Sequence, residues 1–257
     1  MIKLGPAGSS GLGSIAGLKN IKEKGLNAME VEFTHGVRMK EEKAFGIKAL
    51  STKLGISLSV HCPYYINLVS KDEEKIRASE SRILESCRFA NLMGASYVVF
   101  HAGFYQGRDK KIIYKKIKER IKYLKEQVKK NHWDVVLAPE VTGKNSQFGE
   151  LQELLDLRED AGCELCVDFA HIKARHGKIN YKDIFSRLKG LNYLHAHFSG
   201  VEYSNAGERR HVKTEKEEIK IFLKEAIKSN INMTVINESP TPLEDSILTN
   251  ELLKQIN

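Results

Sequence analysis

The sequence predicts an α/β fold, a closed (β/α)8 barrel of parallel strands with its site at their C-terminal rim. Three observations predict it. Eight short apolar, β-rich runs are spread along the chain, segments of helical periodicity alternate with them, and six of the later runs end in His, Asp or Glu. The chain has 257 residues, 41% of them hydrophobic and 29% charged, enough to bury one large core. Barrels of roughly 250 residues form one domain, so residues 1–257 are expected to be a single barrel domain.

The runs are Ile2-Lys3-Leu4, Ala28 to Phe33, Ser57 to Val60, Tyr97 to Phe100, Val135-Val136-Leu137, Leu165 to Val167, Tyr193 to Phe198 and Met233 to Ile236. After the third, Lys71-Asp72 opens a helical stretch through Ala90. Its Ile76, Ile83, Leu84, Cys87 and Phe89 fall largely on one face before Gly94 ends it. Lys110 to Lys130 repeat the pattern with Ile113, Ile117, Ile121, Leu124 and Val128. Asn180 or Tyr181 to Leu188 makes a short sixth helix. Gly143 to Phe148 and Ser199 to Thr214 read as irregular pieces, both following strands on the same rim.

Met1-Ile-Lys-Leu opens as a strand, which leaves no room for a signal peptide, and no stretch approaches the ~20 apolar residues of a membrane span. A cytoplasmic protein with no membrane partner is expected. Cys62, Cys87, Cys163 and Cys166 do not form a disulfide framework in a chain this long, and Cys163-Glu-Leu-Cys166 enters a strand rather than the helix N-terminus a redox pair needs. The net charge of +8 favours a polyanionic partner such as nucleic acid. Much of the excess is lysine at Lys110-Lys111, Lys115-Lys116 and Lys129-Lys130, which reads as a solvated helix face of the kind found in proteins of hot environments.

The chemistry is expected at the strand exits, because side chains there converge on one mouth. They read His61, His101, Glu140, Asp168 with His171, His197 and Glu238. An isolated His or an Asp-x-x-His is ordinarily a packed residue or a helix cap, but so many ionisable groups in one concave site need a metal or one another to offset desolvation. Residues two apart on a strand share a side, so His195 lies one layer deeper and His197 is the better ligand. Imidazoles mixed with carboxylates suit zinc, with Mn²⁺ as the alternative, and Glu140 stands where it can bridge two ions. Glu32 and His35 end the second strand without a clear partner. Arg38 lies near the mouth and Tyr64-Tyr65 follow His61. His132 and His176 read as structural or exposed.

These residues resemble endonuclease IV, the zinc-dependent apurinic/apyrimidinic endonucleases of the xylose-isomerase-like TIM barrel superfamily. The likeness rests on His61-Cys-Pro-Tyr-Tyr-Ile-Asn-Leu68, Phe100-His-Ala-Gly103, Pro139-Glu-Val-Thr-Gly143, Val167-Asp-Phe-Ala-His171, His197-Phe-Ser-Gly200 and Asn237-Glu-Ser-Pro240. It implies up to three zinc ions: His61 and His101 on one, Glu140 bridging to a second held by Asp168, His197 and Glu238, and His171 on the third. The cluster would generate a hydroxide that attacks the phosphate 5′ to an abasic sugar in double-stranded DNA, the incision step of base excision repair, in a protein expected to be a monomer. It places Tyr64 and Arg38 at the DNA.

The family supplies the third zinc with an Asp and a His two apart, whereas here Glu208 and His211 are three apart. A helical or turn-like step would bring them to one side and an extended stretch would separate them; the complete site is the expectation, with Glu208 and His211 as ligands. The competing reading is a sugar isomerase or epimerase on the same barrel with a single metal on Glu140, Asp168, His197 and Glu238. His61, His101, His171 and His211 are surplus to that chemistry.

Overall fold

A computed structural model describes residues 1–256. Eight parallel strands form the barrel: β1 (Ile2–Pro6), β2 (Ala28–Glu32), β3 (Ser57–His61), β4 (Tyr97–Phe100), β5 (Val136–Pro139), β6 (Cys166–Asp168), β7 (Tyr193–Phe198) and β10 (Asn232–Asn237). They pair in the orders β1-β10-β7-β6 and β2-β3-β4-β5. Parallel bridges from Ala7 to Glu30 and from Glu140 to Cys166 join the two halves and close the ring.

Helices α1 (Ser14–Glu23), α2 (Glu41–Leu54), α3 (Glu73–Met93), α4 (Lys110–Lys130), α5 (Leu151–Ala161), α6 (Phe169–His176), α7 (Tyr181–Arg187), α8 (Lys216–Ser229) and α9 (Pro242–Ile256) surround it. The expected helical stretches fall on α3, α4 and α7. The sixth β/α connection is two helices, because Asp168 caps a further one at once by accepting from the His171 amide at 2.7 Å. None of the described helices is long and apolar enough to cross a membrane.

One expectation is corrected. Residues 199–214 are not irregular but form an antiparallel hairpin, β8 (Gly200–Ser204) and β9 (Gly207–Val212), lying over the rim.

The main apolar core lies between strands and helices, where residues such as Leu18, Ile47, Ile83, Ile117, Leu154 and Phe222 are fully buried. The barrel interior is more polar. Lys3, Thr234, His195 and Cys166 stand level across four neighbouring strands, as do Glu30, Ser59 and Tyr97 across three. Two residues further along, the same strands bring Asp168 level with His197 and Glu32 level with His61. Because side chains alternate along a strand, this upper level also points inward, and it is the floor of the site.

Candidate metal centre

Glu140 follows β5, its amide donating to the Phe100 carbonyl at 3.0 Å, and its side chain is almost wholly buried. Each oxygen faces a pair of imidazoles. Oε2 lies 3.1 Å from His61 Nε2 and 2.9 Å from His101 Nε2; Oε1 lies 3.2 Å from Nδ1 of both His171 and His197. Burial alone would push the Glu140 carboxyl toward its neutral form. The surrounding imidazoles, His101 and His197 foremost, hold it well below the ordinary carboxylate range.

Backbone carbonyls orient two of the rings. His61 Nδ1 donates to the Cys62 carbonyl and His171 Nδ1 to that of Val141, each at 2.8 Å, and since a carbonyl only accepts, Nε2 of each ring is left to face the cleft. His197 is turned the other way. Its Nε2 lies 2.9 Å from Glu30 Oε1, so Nδ1 faces Glu140 and, at 3.3 Å, Glu238 Oε1.

Glu30 was not singled out by sequence reasoning, yet it is fully buried under the site. Ser59 Oγ donates to its Oε2 at 2.7 Å, and His195 Nε2 lies 2.9 Å from the same oxygen with its ring stacked on Tyr97. The available signal was an acid at an inward position of an otherwise apolar strand, Ala28-Met-Glu-Val31. Glu32, the next inward residue, lines the same cleft, and burial raises its carboxyl to about 8.

The third group is brought together by a bulge. Val201 pairs with His211, Glu202 with Arg210 and Tyr203 with Glu208, so Arg209 is an extra residue in β9. The bulge converts a separation of three into the same-side relation ordinarily held by residues two apart. This is neither the helical step nor the simple extended stretch considered from sequence. Glu208 Oε2 then lies 3.2 Å from His171 Nε2, and His211 Nε2 lies 3.7 Å from Glu208 Oε1. Arg210 pairs on the outer side with Glu202.

Glycines let this hairpin reach the site. A Cβ on Gly207 would fall 2.2 Å from the Gly143 carbonyl oxygen, and one on Gly143 would fall 2.7 Å from Glu208 Cβ.

His61, His101, Glu140, His171, Glu208, His211 and Glu238 line one cleft of about 420 Å³, with Asp168 and His197 buried beneath it. Tyr64, 61% exposed, stands at its lip with its ring 6.0 Å from that of His61. Arg38 is not in this cleft; it lies in an adjoining recess with His35 and Lys43, and Glu32 borders both. His132 and His176 lie at helix ends away from the cleft. The four cysteines are free and buried, and burial raises their thiols.

The donor set fits cations. Donor atoms of His61, His101 and Glu140 lie within 4.8 Å of one another, as do those of Glu140, Asp168, His197 and Glu238, and those of Asp168, His171 and His211. Asp168 Oδ2 is buried without a hydrogen-bond partner, an arrangement that is costly unless a positive charge meets it. Imidazole nitrogen with carboxylate oxygen is the ligand chemistry of zinc and its neighbours.

The sequence matches the xylose isomerase-like TIM barrel family over residues 18–253. It is 35% identical to an uncharacterized protein of Methanocaldococcus jannaschii over 241 residues, covering 89% of this chain and 87% of that one. It is 28% identical to probable endonuclease 4 of Aquifex aeolicus over 169 residues, covering 64% of this chain and 58% of that relative. Endonuclease IV from Thermus thermophilus superimposes with a TM-score of 0.72 at 18% identity, over 99% of this chain and 97% of that one. The 3-keto-D-glucoside 4-epimerase of E. coli does so with a TM-score of 0.73 at 13% identity, over 99% and 100%. At such identities the structural likeness is one of fold. The match across most of the chain, on a closed barrel with its polar groups at the strand exits, means that this protein belongs to the xylose isomerase-like TIM barrel family.

Proposed function

We propose that the protein is a metal-dependent phosphodiesterase of the endonuclease IV kind, hydrolysing the phosphodiester 5′ to an abasic site in double-stranded DNA. The observation that carries this reading is Glu140, whose Oε2 meets His61 and His101 while its Oε1 meets His197 beside Asp168 and Glu238. On this reading His61 and His101 would hold one ion and Asp168, His197 and Glu238 a second, with Glu140 available to both. His171, Glu208 and His211 would hold a third. Bound zinc or manganese ions would supply an activated water and neutralise charge on the phosphate.

The protein's own groups do the positioning. The Cys62 and Val141 carbonyls and Glu30 hold three rings in the orientation that turns a free nitrogen toward the cleft. Tyr64 at the lip is the aromatic for a base stack opened at the lesion, and Arg38 in the adjoining recess is the cation for a flanking phosphate.

A single-metal sugar isomerase or epimerase is the second reading, favoured by the compact group of Glu140, Asp168, His197 and Glu238. It leaves the His61–His101 pair and the His171–Glu208–His211 group without a task. Metal content of protein purified without chelator, measured beside cleavage of an abasic duplex, separates the two. Two to three equivalents with chelator-sensitive incision is the expected result. One equivalent with epimerase turnover and no incision overturns it.

A further inference from the structure

The positive charge of this protein resides on one helix. Residues 110–130, which form α4, hold ten of the 41 Lys and Arg residues and two of the 33 Asp and Glu residues, a net +8. The remaining 31 basic and 31 acidic residues cancel, so the excess of the whole chain is the excess of α4.

Part of this charge is used internally: Lys110 faces Glu150, Lys118 pairs with Asp160 at 3.1 Å, Arg120 with Glu80 at 3.2 Å, and Lys125 donates to the Ala161 carbonyl. Lys111, Lys115, Lys116, Lys122, Lys129 and Lys130 are exposed and have no ion pair among the described residues. Lys111, Lys115, Lys122 and Lys129 follow one another at steps of four and seven residues, which at about 3.6 residues per turn keeps them within about 40° of one line. The stripe is about 27 Å long, at 1.5 Å per residue, and lies away from the face buried through Ile113, Ile117, Ile121, Leu124 and Val128. Its upper end starts at the catalytic rim, since α4 begins nine residues after His101. Glu119 and Glu126, both exposed, stand in the seven-residue gaps of this row, so four lysines and two carboxylates share the line; with Lys116 and Lys130 also exposed, the net positive charge that remains favours a linear polyanion along its length.

We propose that the outer face of α4 is a docking surface for the phosphate backbone of a nucleic-acid duplex, separate from the cleft that would read the lesion. It extends the DNA reading above, but its own claim is binding without regard to damage. A backbone presenting phosphates every ~3.4 Å along a strand spans the stripe in about eight base pairs. Binding here supplies affinity and residence on undamaged DNA, while lesion recognition stays at the mouth.

The test is the salt dependence of binding to an undamaged duplex for parent, for a variant with Lys111, Lys115, Lys122 and Lys129 all changed to Gln, and for a control with Lys19, Lys22, Lys24 and Lys53 changed to Gln. Both variants lose the same net charge. The α4 variant should bind at least about tenfold more weakly at low salt, with the slope of log K against log salt reduced by about 2 to 4, at roughly 0.9 for each phosphate no longer neutralised. The control should stay near the parent. Equal losses in both variants, or none in either, overturn the proposal, as does an α4 change that abolishes binding to phosphatidylserine vesicles and leaves duplex affinity untouched. Absence of incision by the parent bears on the proposed function alone, because the duplex in this test has no lesion.

Discussion

Nε2 of His171 lies 3.3 Å from Nε2 of His211. Each ring has its other nitrogen engaged, His171 Nδ1 with the Val141 carbonyl and His211 Nδ1 with Ser199 Oγ at 2.6 Å. Two imidazole nitrogens so placed repel unless a proton or a cation lies between them, and Glu208 supplies a carboxylate at the same point. His211→Ala and Glu208→Gln should each lose one equivalent of metal and retain the remainder. Metal analysis after gel filtration measures this, and unchanged stoichiometry in both would remove the hairpin from the ligand set.

Gly143 controls the same site through space rather than chemistry. A Cβ there would also stand 2.9 Å from His171 Cδ2, so Gly143→Ala must push the hairpin outward. The expected cost is about 1–3 kcal/mol of stability, as for overpacking elsewhere, with loss of the third equivalent. Gly46→Ala in α2, with nothing nearer than 3.9 Å, is the control. It should keep full stoichiometry and gain roughly 0.5–1 kcal/mol in chemical denaturation.

Removal of Glu30 should affect metal affinity without removing a ligand. Glu30→Ala leaves His195 and His197 without their buried carboxylate, an expected loss of about 3–5 kcal/mol of stability. Glu30→Gln keeps the shape and an acceptor, and should bind metal about 10–100-fold more weakly in chelator competition. Equal affinity of Glu30→Gln and parent would show that the carboxylate does not orient His197.

Metal binding should release protons. Burial disfavours the charged form of His61, but its hydrogen bond to Glu140 and the charges of Glu32, Glu140 and Glu30 outweigh this and raise it from 6.5 to about 10 in the metal-free fold. A value raised by folding stabilises the metal-free protein fully below about 6.5, and that contribution disappears as pH rises through about 10. An ion must displace the same proton, so affinity should fall as pH falls. Calorimetric zinc titrations in two buffers of different ionisation enthalpy should give different heats. Identical heats would mean that the imidazoles are neutral before the ion arrives.

Tyr64 tests contact with damaged DNA. Tyr64→Ala should cost roughly 1–3 kcal/mol in binding an abasic duplex and leave the metal content unchanged, because the ring is largely exposed and meets the site only through the face of His61. Parent-like affinity would exclude stacking by this residue.

Sequence alone determined the barrel, since apolar runs of strand length alternating with one-faced helical segments have few other ways to bury their surface. It also determined which polar residues meet, because a strand exit has a known place in such a barrel: His61, Glu140, Asp168 and His197 were legible from position alone. Tertiary structure decided what those rules do not encode. The bulge at Arg209 arises because Glu202 pairs with Arg210 and Tyr203 with Glu208 across the hairpin, and only that register makes Glu208 and His211 neighbours. The approach of Gly207 to Gly143 joins segments more than 60 residues apart, which no local pattern reports. Glu30 is one of two acids in β2, and only the closed ring places it beneath His197, 2.9 Å away and 167 positions along the chain. Periodicity is a property of neighbouring residues, whereas these three relations arise only after the chain has returned on itself.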